Sequence, residues 1–164
     1  MNDIIQRFLA YARPPKLQLE AANFNRVAGN ALPLITSEAK SKGVHLIREF
    51  AENLPEIMLD RNQIEQVFLN LLQNSLHATD SGGTITLRTI RRSGDIVVEV
   101  CDTGHGIQEE NRAKIFDLCF TTKSGGTGIG LVIVHRIVSQ HGARLDVQSE
   151  LGKGTTISIV FKYE

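Results

Sequence analysis

Residues 60–107 read DRNQIEQVFLNLLQNSLHATDSGGTITLRTIRRSGDIVVEVCDTGHGI, and the change of periodicity within them decides the fold. Ile64, Val67, Phe68, Leu71 and Leu72 recur at helical spacing, which predicts an amphipathic helix to about Thr79. Asp60-Arg61-Asn62-Gln63 gives it a capping sequence. Ser81-Gly82-Gly83 then turns the chain into Thr84–Ile90, and Ser93-Gly94 turns it again into Asp95–Cys101. Both arms carry strand-type residues, so the helix is followed by a β-hairpin.

The same alternation extends outward. Residues 2–12 carry the helical stripe Ile4, Ile5, Phe8, Leu9 and Ala12, stopped by Pro14-Pro15. So short a helix cannot bury that stripe alone, and it reads as the end of something longer or as an edge helix of this domain. Residues 24–42 predict a weaker helix, with Gly29 and Pro33 favouring a kink or late start and Gly43 a C-cap. His45–Phe50 and Glu56–Leu59 read as short strands. Residues 103–127 are rich in Gly and Thr, with one short apolar piece at Ile115–Cys119; so long a loop in a compact domain is functional or mobile. A helix over about 128–141 and strands at Arg144–Gln148 and Thr155–Phe161 complete the chain. The expected fold is an α/β (α+β) two-layer sandwich: one mixed, mainly antiparallel sheet with helices on one face.

Composition narrows the class. The chain has 164 residues, with 18 Lys+Arg against 18 Asp+Glu, so no net field points to nucleic acid or an anionic surface. No apolar run approaches the roughly 20 residues of a membrane helix, and the first residues lack a signal-peptide pattern. The expectation is a cytoplasmic domain. Cys101 and Cys119 have neither zinc-finger nor CxxC spacing, which leaves them as reduced thiols.

Four segments carry chemistry. On the 60–79 helix Asn70, Asn74 and His77 stand at i, i+4 and i+7, on a face other than the apolar stripe. Asparagine is a mediocre helix former. Its carboxamide oxygen is a hard ligand that suits Mg²⁺, although the same face would serve as solvated polar surface. In the 95–101 strand Ile96, Val98 and Val100 alternate, and Asp102 continues their parity. That directs a carboxylate to the apolar side, where it requires a hydrogen-bond donor. The 6-amino group of adenine is such a donor, whereas guanine presents a carbonyl. Gly104 and Gly106 follow and permit a close turn. Thr121, Thr122 and Lys123 offer hydroxyls and a cation. Gly125-Gly126-Thr127-Gly128-Ile129-Gly130-Leu131 opens a helix whose N–H groups suit phosphate. Leu131 stands where a dinucleotide-binding G-x-G-x-x-G needs glycine, and no G-K-[ST] follows as in a P-loop.

Taken in order, LNLLQNSLHAT (69–79), CDTGHGI (101–107), IFDLCFTTK (115–123) and GGTGIGL (125–131) resemble the N, G1, F and G2 boxes of the sensor histidine kinase catalytic and ATP-binding domain, a member of the histidine kinase/gyrase-type (GHKL) superfamily. The resemblance covers residues 20–162. It implies ATP and Mg²⁺ as ligands, with Asn74 on the metal and Asn70 supporting its waters or the phosphates. His77 stands where a polar phosphate-reaching residue is common. Asp102 would take the adenine, with Gly104, Gly106 and Ile107 turning around it. Thr121, Thr122 and Lys123 would belong to the lid, Lys123 facing the γ-phosphate; Phe116 and Phe120 would pin that lid. Gly126, Thr127, Gly128, Ile129, Gly130 and Leu131 would hold phosphates, and Thr155 would reach the adenine directly or through water.

Related ATPases of the gyrase and MutL type place a glutamate at the position of Asn70. An amide cannot take a proton at neutral pH, which speaks against efficient hydrolysis. By the same resemblance, residues 1–15 are the remnant of a dimerisation helix and linker, and 16–164 the ATP-binding domain. None of His45, His77, His105, His135 and His141 fits a phosphoacceptor. The implied partners are a dimerisation domain bearing that histidine, in a homodimeric full-length protein, and a downstream response regulator. The separate domain would be a monomer. A serine kinase of the anti-sigma-factor type and a non-catalytic nucleotide-binding domain are the alternatives.

Overall fold

The computed structural model describes residues 16–118, 120, 121 and 127–163. In chain order the elements are β1 (Glu20–Ala22), α1 (Phe24–Lys42), β2 (His45–Phe50), β3 (Ile57–Leu59), α2 (Arg61–Ala78), β4 (Thr84–Arg92), β5 (Asp95–Asp102), α3 (Glu109–Arg112), α4 (Gly130–Gln140), β6 (Arg144–Glu150) and β7 (Gly154–Lys162). The main sheet has the order β2-β4-β5-β7-β6. β2 and β4 are parallel and every other pair is antiparallel, so the expected mixed sheet is present.

Expectation and structure differ at the N-terminal side. β3 does not join the main sheet; it pairs antiparallel with β1 in a separate two-stranded sheet. Pro55, which has no N–H to give a ladder, stands just before this three-residue strand. The proposed helix at residues 2–12, with the whole 1–15 segment, lies outside the described residues. α1 starts at Phe24 with no delay and contains Pro33. Asn23 caps it by accepting from the Asn25 N–H at 2.9 Å, and Gly43 closes it with a left-handed φ of 74°.

The core lies between one face of the sheet and α1, α2 and α4. Ile85, Leu87, Ile96, Val98, Val100, Ile159 and Phe161 meet Phe24, Ile35, Ile64, Phe68, Leu71, Leu72, Ile133 and Ile137, all buried. α2 is the central helix, packed on α1 to one side and α4 to the other. Phe24 and Phe161 tilt against each other with ring centroids 4.5 Å apart, which fastens α1 to β7. Cys101 is a half-buried free thiol on β5, and burial pushes its pKa up, away from reactivity. Cys119 lies outside the described residues.

The start of α2 is the best-fastened corner of the fold. Asp60 is the N-cap: Oδ1 accepts from the Gln63 N–H at 3.1 Å, and Oδ2 from Gln63 Nε2 at 3.1 Å and the Gln18 N–H at 3.0 Å. The Asp60 N–H donates to His141 Nε2 at 3.0 Å, while His141 Nδ1 donates to the Ile137 carbonyl at 2.8 Å. One imidazole thus ties the end of α4 to the start of α2. Burial pulls the Asp60 carboxyl upward, but the Gln18 and Gln63 hydrogen bonds and nearby His141 outweigh it, so its pKa lies below the ordinary value.

A carboxylate whose folded pKa is depressed contributes stability above its unfolded value, about 3.9, and loses it as pH falls through the folded value. Asn is as good an N-cap as Asp. Asp60→Asn is therefore expected to lower the urea midpoint more at pH 7 than at about pH 3. Equal losses at both pH values would refute the charge effect.

Candidate nucleotide site

Between α2, the ends of β5 and β7, the 103–121 segment and the start of α4 lies a cavity of about 540 Å³. Its floor follows from sheet register. Asp102 is the Cα partner of Thr155 across β5 and β7, and both face α2. From α2, Ser75 meets them: its hydroxyl donates to Asp102 Oδ2 at 2.9 Å. Asp102 Oδ1 accepts from the Gly104 N–H at 3.0 Å and the Thr155 N–H at 3.2 Å. The half-buried carboxylate therefore has donors within the protein, and its inward position does not by itself require a ligand. What it offers the cavity is the acceptor capacity left on a carboxylate that three donors hold in place.

Asn70, Gln73, Asn74 and His77 line the opposite wall, all from α2. Gly130, the first residue of α4, packs beside them: a Cβ there would lie 3.4 Å from Asn70 Oδ1 and 3.9 Å from Asn74 Nδ2. The missing side chain brings the N-terminus of α4 against the asparagine pair. No side chain of its N-cap residue caps that terminus, and Thr127, Gly128, Gly130 and Leu131 line the cavity beside it, which leaves its first N–H groups to a ligand or water. Gly128 has a φ of 64°, a conformation that favours glycine. Ile129 is buried in the core instead, so it can offer only its backbone.

The fit to a divalent cation rests on the donor set. Among the described residues no group of three His, Cys, Asp or Glu side chains could hold a metal alone. Asn70 Nδ2, a donor buried without a hydrogen-bond partner, suits a water or phosphate oxygen rather than the ion, and Asn74, one turn further on, offers an amide oxygen as a hard ligand. A neutral amide pair suits an ion that takes most of its ligands from phosphates and water, as Mg²⁺ does.

The turn after β5 is fastened on both sides. The His105 N–H donates to the Ala78 carbonyl at the end of α2 at 3.1 Å, and the Gly152 N–H donates to the His105 carbonyl at 2.8 Å. Lys42 donates to the Leu76 and His77 carbonyls at 2.6 and 3.2 Å, a cation at a helix C-terminus. A Cβ on Gly104 would come within 2.5 Å of the Ala78 carbonyl oxygen. Gly104 is thus buried beneath the cavity and sets its shape without lining it. Ile107 lines it, with its N–H given to Ser149 Oγ at 2.8 Å.

The lid shows one difference from expectation. Ile115 is the more deeply buried, 6% exposed, without joining the main core cluster, while Phe116 is half-buried with its ring tilted against His135 of α4 at 5.5 Å. Phe120 and Thr121 line the cavity. Thr122, Lys123 and Gly126 lie outside the described residues.

Sequence reasoning passed over Ser75 and Ser149. Ser75 continues the apolar stripe of Leu71 and Leu72 at helical spacing, and Ser149 follows Leu145 and Val147 at strand spacing. In each case a hydroxyl at a core-facing position was the available signal.

A carboxylate-ended strand, an asparagine-bearing helix and a glycine-led helix closing on one cavity define a nucleotide-binding α/β sandwich. Residues 59–164 match the histidine kinase-, DNA gyrase B- and HSP90-like ATPase family, and the chain belongs to that family as a catalytic domain of the sensor histidine kinase kind. It is similar to the sensor histidine kinase ZraS of Escherichia coli (strain K12), with 35% identity over 159 residues, 97% of this chain and 34% of ZraS. The chain thus spans about a third of that relative's length. Among solved structures, full-length ShkA in complex with AMPPNP superposes with a TM-score of 0.87 at 26% identity, covering 96% of this chain and 35% of that one. The nucleotide-free catalytic domain of the histidine kinase ThkA superposes with a TM-score of 0.81 at 27% identity, over 88% of this chain and 95% of that domain. Among the described residues no helix is long and apolar enough to cross a membrane.

Proposed function

We propose that this chain binds ATP with Mg²⁺ and donates the γ-phosphoryl group to a histidine on a separate dimerisation domain, in two-component signalling. One observation carries the reading. Asp102 is the only acid among the described cavity-lining residues, and three protein donors hold it at the floor. Asn70 and Asn74 face the start of α4, and neither amide can accept a proton from water at neutral pH. The site therefore has the means to hold and orient a triphosphate but, among the described residues, no carboxylate beside the asparagine pair to activate water, which favours keeping the phosphoryl group for an outside nucleophile.

The roles we assign are these. Asp102 and Thr155 receive the adenine, while Gly104, Gly106 and Ile107 shape the turn around it. The N–H groups at Gly128 and Gly130 receive phosphates at the end of α4. Asn74 ligates Mg²⁺, with Asn70 and His77 on the same wall; the bound cation would neutralise phosphate charge. Thr121, Thr122 and Lys123 act from the lid, and Gly126 and Thr127 join Gly128 and Gly130 in holding phosphate. Catalysis is then positioning and electrostatics. ShkA binds AMPPNP in its crystal structure, and ZraS is a sensor histidine kinase; both support carrying the reading to this chain. The parent protein would be a homodimer that passes the phosphoryl group to a response regulator in the cytoplasm.

The test mixes this chain with a separately produced dimerisation domain and γ-labelled ATP. Label on a histidine of the dimerisation domain, stable to base and lost in acid, is the expected outcome. Acid-stable label on a serine of a partner would favour the serine-kinase alternative. Label retained by this chain alone would overturn the division of roles.

A further inference from the structure

We propose that Ser149 is a specificity-positioning residue: it fixes the Thr155 hydroxyl as an acceptor toward the cavity, so that the site selects a purine with an exocyclic amine. The inference rests on the adenine reading of the cavity floor.

A serine hydroxyl has one proton and two lone pairs. Ser149 Oγ has three neighbours: the Gly154 carbonyl oxygen at 3.0 Å, the Ile107 N–H at 2.8 Å and Thr155 Oγ1 at 2.9 Å. The carbonyl can only accept, and the scheme gives it the single Ser149 proton. The Ile107 N–H can only donate, so it occupies one lone pair. The remaining lone pair faces Thr155, and in this scheme the Thr155 hydroxyl donates to it. With that proton committed, Thr155 Oγ1 has only lone pairs left for the cavity it lines.

Beside it, Asp102 also has nothing but acceptor capacity to offer. The Thr155 N–H and O–H are both turned inward, one to Asp102 and one to Ser149. Two adjacent acceptors match the two hydrogens of an amine and repel a carbonyl. Ser149 touches no nucleotide in this scheme. It acts by removing the option of a donating Thr155.

Calorimetry on the whole chain with ATP and with inosine triphosphate, which has a carbonyl at C6, tests this. Ser149→Ala frees the Thr155 proton to turn into the cavity. The ATP-to-ITP affinity ratio should fall about three- to tenfold, the span of one net hydrogen bond, with ITP binding tighter than to the unsubstituted chain. Ser149→Thr keeps the hydroxyl and should keep the ratio. In a Thr155→Val background, where the ratio has already fallen, adding Ser149→Ala should change it no further. A merely structural Ser149 would weaken both nucleotides equally and leave the ratio alone, and that result overturns the proposal. Should Ser149→Ala not fold, Thr155→Val decides, since an unchanged ratio there is equally fatal. Failure of the unsubstituted chain to bind either nucleotide would instead overturn the adenine reading beneath it.

Discussion

Asp102→Asn is expected to lower ATP affinity by about 10- to 100-fold, the loss of one charge-assisted hydrogen bond, while the domain stays folded. The asparagine oxygen can still accept from the Gly104 and Thr155 N–H groups. Its amide nitrogen then stands where Oδ2 met Ser75. The Ser75 hydroxyl can rotate from donor to acceptor, so the interior remains satisfied. The ligand cannot make the same adjustment, because an adenine amine would face an amide donor. Calorimetry reads the affinity and thermal unfolding reads the fold. Unchanged affinity would remove Asp102 from the adenine site, and loss of folding would show that its three donors matter more than the ligand.

Asn74→Ala is expected to abolish the Mg²⁺ dependence of triphosphate binding and to slow histidine labelling at least about 100-fold, since a metal clamp on phosphoryl oxygens contributes several kcal/mol. Alanine is the best helix former, so α2 should not suffer. The comparison is ATP affinity with Mg²⁺ and with a chelator, for the substituted and unsubstituted chains. If the dependence persists, the metal is held elsewhere on the wall. Together the two substitutions separate the ends of the cavity: one should impair recognition of the base, the other the handling of phosphate.

Local signals were legible where one period or one turn sufficed. The stripe from Ile64 to Leu72, the Asp60 cap, the Gly43 stop and the Thr84–Asp102 hairpin all stand where expected. β1 and its pairing with β3 were not foreseen. Three-residue strands carry too little pattern to declare a partner, and their pairing depends on where Pro55 and the Asp60 corner leave the chain. The deeper burial of Ile115 relative to Phe116 also escaped, because i, i+4 spacing says which residues share a face but not which neighbour receives them.

For this protein the sequence by itself determined the kinds of group in the site and their order: amides on a helix, an acid ending an apolar strand, glycines before a second helix. Each depends on neighbours within a turn or a strand step. Only the tertiary structure decided how those groups are occupied. Asp102 was expected to need an outside donor, yet Ser75 from α2 and the Thr155 N–H from β7 already hold it. Those contacts join residues 27 and 53 positions apart, and sheet register with helix packing creates them. The direction of the Thr155 proton follows from the same register, since it depends on every neighbour of Ser149 at once.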